Sequence, residues 1–337
     1  MTGIVDIATI WAFIIAFAVF VYVVMDGFDL GLGLLFPLFP EKADRDVIMN
    51  SVAPVWDGNE TWLVLGGGGL MAAFPLAYAV LMPALYTPMV AMLIGLIFRG
   101  VAFEFRWRTK QSPRNRWDIA FAGGSLLAAL AQGIALGAIL QGVRVEGRHY
   151  AGGWWDWLTP FSILTGVALA IGYALLGATW LVMKTEGGLR DKAYRLSWFL
   201  LFAMLGAIGA VSIATPFLHV QYTERWFSWP NVILTAPVPI AVAAVTALLL
   251  RGLANKWDYQ PFLLSLLLFA LSYAGLGISM YPYIVPQSIT IWQAASPENS
   301  QLFMLVGVAG LIPLILGYTA WAYWVFRGKV RPGGGYH

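Results

Sequence analysis

The sequence has 337 residues, of which 60% are hydrophobic and only 11% are charged. Soluble globular domains carry roughly 25% charged residues, so most of these side chains must lie in lipid. The net charge of +3 would suit a nucleic acid partner only on a basic face exposed to water, and this composition leaves no soluble domain to carry one. Because the chain has no cysteine, disulfides, thiolate metal sites and iron–sulfur clusters are excluded in it.

Long neutral runs between charged residues predict the membrane spans. A helix needs about 20 residues to cross the hydrocarbon core. The run over 61–98 is long enough for two helices, and its prolines indicate a turn near 74–77. We therefore predict an all-α polytopic membrane protein, a single integral-membrane domain over residues 1–337 with nine transmembrane helices. The predicted spans are approximately 7–33, 50–73, 78–100, 119–141, 159–183, 197–218, 230–250, 260–281 and 301–326.

Basic residues predict the orientation, because short cytoplasmic loops carry an excess of Lys and Arg. Of the 20 basic residues, only Arg144, Arg148 and Arg225 lie in the loops of one side. The other side is predicted to be cytoplasmic, which places the carboxyl terminus in the cytoplasm and, with nine spans, the amino terminus in the periplasm. Arg99, at the end of the third span, is interpreted as snorkelling to the cytoplasmic interface in preference to forming a functional ion pair.

Four acidic residues fall inside predicted spans, Asp26 and Asp29 in the first and Asp57 and Glu60 in the second. Each pair has i, i+3 spacing, which places both carboxylates on one face of a helix. All four lie toward the cytoplasmic side. An ionised group at a helix centre costs about 2.5–3.5 kcal/mol, so these groups must face protein or water, hold protons or pair. With the amide of Asn59, they are predicted to form a proton path from the cytoplasm.

The residues alone leave other interpretations open. The carboxylates could be structural, capping or joining helix ends. A proton- or sodium-coupled secondary transporter could use them as its ion site, although their off-centre depth and the lack of a detectable internal repeat disfavour it. Gln132 either bonds across helices or has a functional role. The three histidines (His149, His219 and His337) lie in outer positions or at the terminus, so we expect no pair of axial haem ligands in this chain.

Several stretches of the chain resemble subunit II of cytochrome bd-type quinol oxidases. They are 26–31 (DGFDLG), 50–63 (NSVAPVWDGNETWL), 98–106 (FRGVAFEFR), 141–143 (QGV), 281–288 (YPYIVPQS) and 317–326 (GYTAWAYWVF). The compact length and short outer loops resemble the cyanide-insensitive branch of that family.

The resemblance implies a subunit of an electrogenic terminal oxidase of the bacterial inner membrane, which oxidises quinol and reduces O2 to water. Its haem-bearing subunit I would hold haems b and d and the quinol site, and this chain, with no catalytic residue of its own, would be the heterodimer partner. Single-helix accessory subunits and a structural quinone occur in the family. The resemblance implies a proton-path role for Asp57 and an interface position for Asp26 and Asp29, whereas Glu60 stands where some members carry glutamine.

Overall fold

The structure of the chain, a computed structural model, describes residues 6–108 and 111–331. Apart from two short antiparallel hairpins, the regular structure in this part of the chain is helical, as predicted. The helices are α1 (Ile7–Leu35), α2 (Lys42–Asn50), α3 (Trp56–Ala73), α4 (Pro75–Ala84), α5 (Tyr86–Arg108), α6 (Gln111–Leu140), α7 (Pro160–Lys184), α8 (Gly187–Ala214), α9 (Val220–Phe227), α10 (Asn231–Thr235), α11 (Pro237–Ala254), α12 (Gln260–Met280), α13 (Ile291–Ala294) and α14 (Glu298–Val325). The hairpins pair β1 (Val145–Glu146) with β2 (His149–Tyr150) and β3 (Tyr283–Val285) with β4 (Ile289–Thr290).

Eight helical segments of the described chain are long and apolar enough to cross a membrane. They are Ile7–Leu38, Tyr86–Arg108, Arg114–Leu140, Pro160–Lys184, Gly187–Phe217, Asn231–Ala254, Gln260–Met280 and Glu298–Val325. This confirms a helical, multi-pass membrane protein. Helix α3 has 18 residues, a length of about 27 Å at 1.5 Å per residue, but its first turns are polar. Nine spans and the sidedness of the termini therefore stay predictions.

The region of the second and third predicted spans differs from the prediction. Residues 51–55 form a turn between α2 and α3, so α3 begins at Trp56 and not near residue 50. The predicted helix over 78–100 is interrupted at Leu85, between α4 and α5. Pro88 explains the interruption, because it has no N–H to donate to the carbonyl of Ala84 and its ring would crowd that carbonyl in a continuous helix.

Several helices extend past their predicted ends. Helix α5 continues to Arg108 instead of ending at residue 100, α6 begins at Gln111 instead of 119, and α8 begins at Gly187 instead of 197. The prediction treated charged residues as span boundaries, but a helix continues with its charged side chains in water or paired inside the protein. Some charges at the ends of predicted spans consequently lie well within helices.

Helix α1 lies at the centre and packs against α3, α6 and α7. Its contact with α7 depends on Gly31 and Gly177. A Cβ atom on Gly31 would lie 1.8 Å from the backbone oxygen of Tyr173, and one on Gly177 would lie 2.5 Å from the backbone carbon of Gly31. Close packing of small residues is a common way to join helices in a membrane. The contact with α7 buries the second half of α1, where Asp26 and Asp29 lie.

Candidate functional site

Three acidic side chains meet at Arg99 of α5. Nη1 of Arg99 lies 3.0 Å from Oδ1 of Asp26 and 2.8 Å from Oε1 of Glu60, and Nη2 pairs with Asp29. Asp26 and Asp29 come from α1, and Glu60 comes from α3. The side chains of Arg99 and Asp29 are 0% exposed, whereas that of Glu60 is 28% exposed. The cluster is therefore sealed on the α1 side and open on the α3 side.

This Arg99 cluster, formed by Arg99, Asp26, Asp29 and Glu60, carries more acidic than basic groups. Three carboxyls share one guanidinium, so two negative charges would lack a counter-charge if all three were ionised. An uncompensated buried ion costs several kcal/mol. Protons on the carboxyls, or cations supplied by another subunit, would remove that cost. The arrangement can therefore hold and release protons.

The interpretation of Arg99 as a snorkelling residue is wrong. The side chain is wholly buried and pairs with three carboxyls inside the bundle, so it does not extend along the surface of the protein toward the interface. The face of the Phe103 ring covers the guanidinium at 5.8 Å from the ring centroid. One signal in the sequence indicated that Arg99 could be buried. Several acidic residues at one depth of the membrane require a cation at that depth.

Asp57 does not join the other three acids at Arg99. It lies in the first turn of α3, one turn before Glu60, and its side chain is exposed. Its neighbour Trp56 stacks on Phe103 with 5.0 Å between ring centroids, which fixes the beginning of α3 against α5. The structure thus brings together three of the four predicted acids and places the fourth on the surface beside them.

Asn59 joins three helices. Its Nδ2 donates to the backbone oxygen of Met25 in α1 at 3.2 Å, and its Oδ1 accepts a hydrogen bond of 2.9 Å from the hydroxyl of Tyr323 in α14. The side chain is buried. Since both ends of the amide have partners, Asn59 holds the polar beginning of α3 in place between α1 and α14.

Gln132 of α6 bonds across helices, which was one of its two interpretations. Its Nε2 donates to the hydroxyl of Tyr22 at 2.7 Å, and the hydroxyl of Tyr173 donates to its Oε1 at 2.7 Å. Tyr22 lies one turn before Asp26 on α1, so the two side chains share a face of that helix. Polar side chains therefore continue from the Arg99 cluster into the interior of the bundle.

A second buried ion cluster was missed in the sequence analysis. Arg106 near the end of α5 is 0% exposed and lies 2.6 Å from carboxylate oxygens of both Asp46 and Asp118. Asp118 also pairs with Arg45 at 2.9 Å. These contacts attach the short helix α2 to the ends of α5 and α6. The charge pattern of the sequence gives no sign that Arg45 and Arg106 share a carboxylate.

The described histidines lie outside the long helices of the bundle. The Nε2 atom of His219, the residue before α9, lies 2.7 Å from the backbone oxygen of Gln141, and His149 is exposed in β2. His337 lies outside the described residues. Within residues 6–108 and 111–331, no group of three histidine or acidic side chains could hold a metal ion.

Fold and site together define a class of protein: a multi-pass helical membrane protein with ionisable side chains clustered between its helices. Such side chains are costly inside a membrane and mark paths for protons or ions. Residues 7–326 match the model of the family described as cytochrome bd terminal oxidase subunit II. The chain belongs to this family.

Similar proteins agree with this assignment. The chain is 31% identical over 358 residues to the cytochrome bd-I ubiquinol oxidase subunit 2 of Escherichia coli (strain K12), a match that covers 95% of this chain and 94% of the other. It is 27% identical to the cytochrome bd ubiquinol oxidase subunit 2 of Bacillus subtilis (strain 168), covering 95% and 96%. Its fold matches a chain of the bd oxidase from Geobacillus thermodenitrificans with a TM-score of 0.73 and 18% identity, covering 95% and 98%.

Proposed function

We propose that this chain is the non-haem subunit of a quinol:dioxygen oxidoreductase in the bacterial inner membrane. It pairs with a haem-bearing subunit I, which holds haems b and d and oxidises quinol, and it helps to deliver protons for the reduction of O2 to water. The observation that carries the proposal is the family match over residues 7–326, joined to an Arg99 cluster that opens toward the surface of α3. The placement of the described histidines supports assigning the haems to the other subunit.

The surface of α3 supports a protein partner on this side of the chain. Helix α3 is too polar to count among the apolar spans, yet Val64 and Met71 are 74% and 54% exposed. Gly67 and Gly68 face open space. Small residues on an exposed helix face let another helix approach closely, whereas lipid would gain little from them. We assign this face of α3, together with the adjoining helix α14, to subunit I.

The exposures of the acidic groups suggest different roles for them. Asp57 is exposed and Glu60 is partly exposed, so both can exchange protons with water or with groups of subunit I. Asp26 and Asp29 are fully buried against Arg99. In this proposal Asp57 and Glu60 carry protons along the interface, and the two buried aspartates are the inner end of the path. The predicted orientation places its entrance on the cytoplasmic side.

The test is Asp57→Asn in the purified two-subunit complex. We expect slower O2 reduction and proton uptake with unchanged haem absorbance, because the substitution removes a proton carrier at an exposed position and leaves the fold intact. Glu104→Gln is the matched control, since Glu104 is also exposed and on α5, where its partner is Arg108 at 3.5 Å. Unchanged turnover in Asp57→Asn would remove Asp57 from the path.

The same measurement separates proton delivery from a purely structural role. The burial and ion pairing of Asp26 and Asp29 favour a contribution to assembly for these two residues. If Asp26→Asn and Asp29→Asn lower only the yield of complex, with normal turnover per haem, their role is structural. A loss of turnover at normal yield and normal haem absorbance would place them in the path.

A further inference from the structure

An apolar groove lies between α6 and the end of α1, on the side of the Arg106 ion cluster. Its volume is about 600 Å³, and its wall along α6 is formed by Ile119, Ala122, Gly123 and Leu126. At one end the groove reaches Asn115 and Arg45. Ile119 and Leu126 are 72% and 45% exposed, so the groove opens to the surroundings of the bundle.

Small residues keep the groove open. A Cβ atom on Gly123 would meet nothing within 4 Å, whereas one on Gly33, at the bottom of the groove, would lie 2.0 Å from the hydroxyl oxygen of Ser125. Helices α1 and α6 are therefore in contact at Gly33 and Ser125, and this contact forms the floor of the groove. After α1 the chain turns away through Pro37, which leaves this side of α6 uncovered.

The length of the groove fits an acyl chain in one leaflet. From Asn115 to Leu126 the groove follows α6 for about 16 Å at 1.5 Å per residue. This is about the depth of one leaflet, half of a hydrocarbon core about 30 Å thick.

The polar end of the groove contains basic side chains. Arg45 lines the groove together with Asn115, and Arg116, one residue after Asn115, is exposed. Arg114 lies outside the lining, where it donates to the backbone oxygen of Arg106 and its guanidinium covers the ring of Trp107. The acidic group in the lining, Asp118, lies 2.9 Å from Arg45 and 2.6 Å from the buried Arg106. An anion beside Arg45 would therefore meet a guanidinium whose carboxylate partner is shared with a second guanidinium.

We propose that this groove binds a phospholipid with an anionic headgroup. One acyl chain lies along α6 between Ile119 and Leu126, and the phosphate lies beside Arg45 and Asn115. Charged guanidinium groups hold phosphate oxygens by charge-assisted hydrogen bonds, and apolar side chains hold the acyl chain. The lipid would fill the space between α1, α6 and the α2 connection. This inference rests on the fold and does not depend on the proposed oxidase function.

The experiment fills the groove without disturbing the core. Gly123→Phe places a ring in open space, and Leu126→Trp fills the same groove from its other end. The matched control is Gly206→Phe on α8, where a Cβ atom also meets nothing within 4 Å and which does not line this groove. Each complex is equilibrated with vesicles of phosphatidylglycerol and phosphatidylcholine, purified in detergent, and weighed by native mass spectrometry.

We expect the parent complex and Gly206→Phe to retain phosphatidylglycerol in preference to phosphatidylcholine. Both groove variants should retain about tenfold less phosphatidylglycerol, with unchanged haem absorbance and unchanged subunit composition. Equal retention in the groove variants and the control would overturn the proposal, as would equal retention of the two lipids by the parent complex. Loss of a protein subunit from the groove variants alone would show that a protein occupies the groove, which would also overturn it.

Discussion

Arg99 pairs with three of the carboxyls that α1 and α3 bring into the bundle. It lies within 3.0 Å of both Asp26 and Glu60 and also pairs with Asp29. A lysine could not reproduce this arrangement, because a guanidinium presents several donors in one plane and an ammonium is a compact point charge. The position of Arg99 in the middle of α5 lets one side chain reach both neighbouring helices.

Replacing Arg99 with Gln should destabilise the complex strongly. The change leaves Asp26 and Asp29 buried without a cation, and breaking a buried ion pair on one side costs about 3–5 kcal/mol. The measurement is thermal unfolding of the detergent-purified complex. Arg148→Gln, which removes an exposed charge in the β1–β2 hairpin, should change the stability by no more than about 0.5 kcal/mol.

A double variant distinguishes lost charge balance from lost packing. If charge balance is the cause, adding Asp29→Asn to Arg99→Gln should recover part of the stability, because one uncompensated carboxylate is removed. If the double variant is less stable than Arg99→Gln alone, charge balance is not the reason for the loss.

At the scale of elements, the contact of α1 with α7 sets how deeply the acidic residues are buried. It joins an early helix to one from the middle of the chain through two glycines that face each other. Glycine allows close helix approach, but the partner helix could not be predicted from the sequence, because several helices carry glycine. The structure identifies α7 as that partner.

Gly31→Ala should separate α1 from α7. Its methyl group would lie 1.8 Å from the backbone oxygen of Tyr173, which does not move as easily as a flexible side chain. Overpacking of this kind costs about 1–3 kcal/mol. A lower unfolding temperature of the complex is the expected result.

Gly209→Ala on α8 is the control for that substitution. A Cβ atom at Gly209 meets nothing within 4 Å, and alanine favours a helix more than glycine does, so stability should be unchanged or slightly higher. Equal behaviour of the two variants would mean that the α1–α7 contact is looser than described.

For the whole molecule, the predicted orientation can be tested with introduced cysteines, because the chain has none of its own. Arg148→Cys places a thiol in the exposed hairpin, and Arg108→Cys places one at the opposite end of the bundle, where the side chain is 80% exposed. A membrane-impermeant maleimide should label Arg148→Cys in intact spheroplasts and Arg108→Cys only after permeabilisation. The opposite pattern would reverse the predicted sidedness.

The sequence predicted the class of fold and most of the acidic residues of the candidate site, because scarce charges in lipid are easy to locate. It did not predict their partner. Arg99 was assigned to the interface because the end of α5 was placed at residue 100, and hydropathy does not show how far a helix continues into water. The hydrogen bonds of Asn59 and the ion pairs of Arg106 depend on which helices become neighbours. Hydrophobic periodicity and charge counts do not determine which helices pack together.

The hydrogen bond between Tyr323 and Asn59 has a consequence for biogenesis. A ribosome makes α3 well before α14, so the amide oxygen of Asn59 gains its partner only after α14 has been made. Only then is the polar beginning of α3 held from both sides, by α1 and by α14. This contact between three helices can therefore close only late in synthesis, after α1 and α3 have entered the membrane.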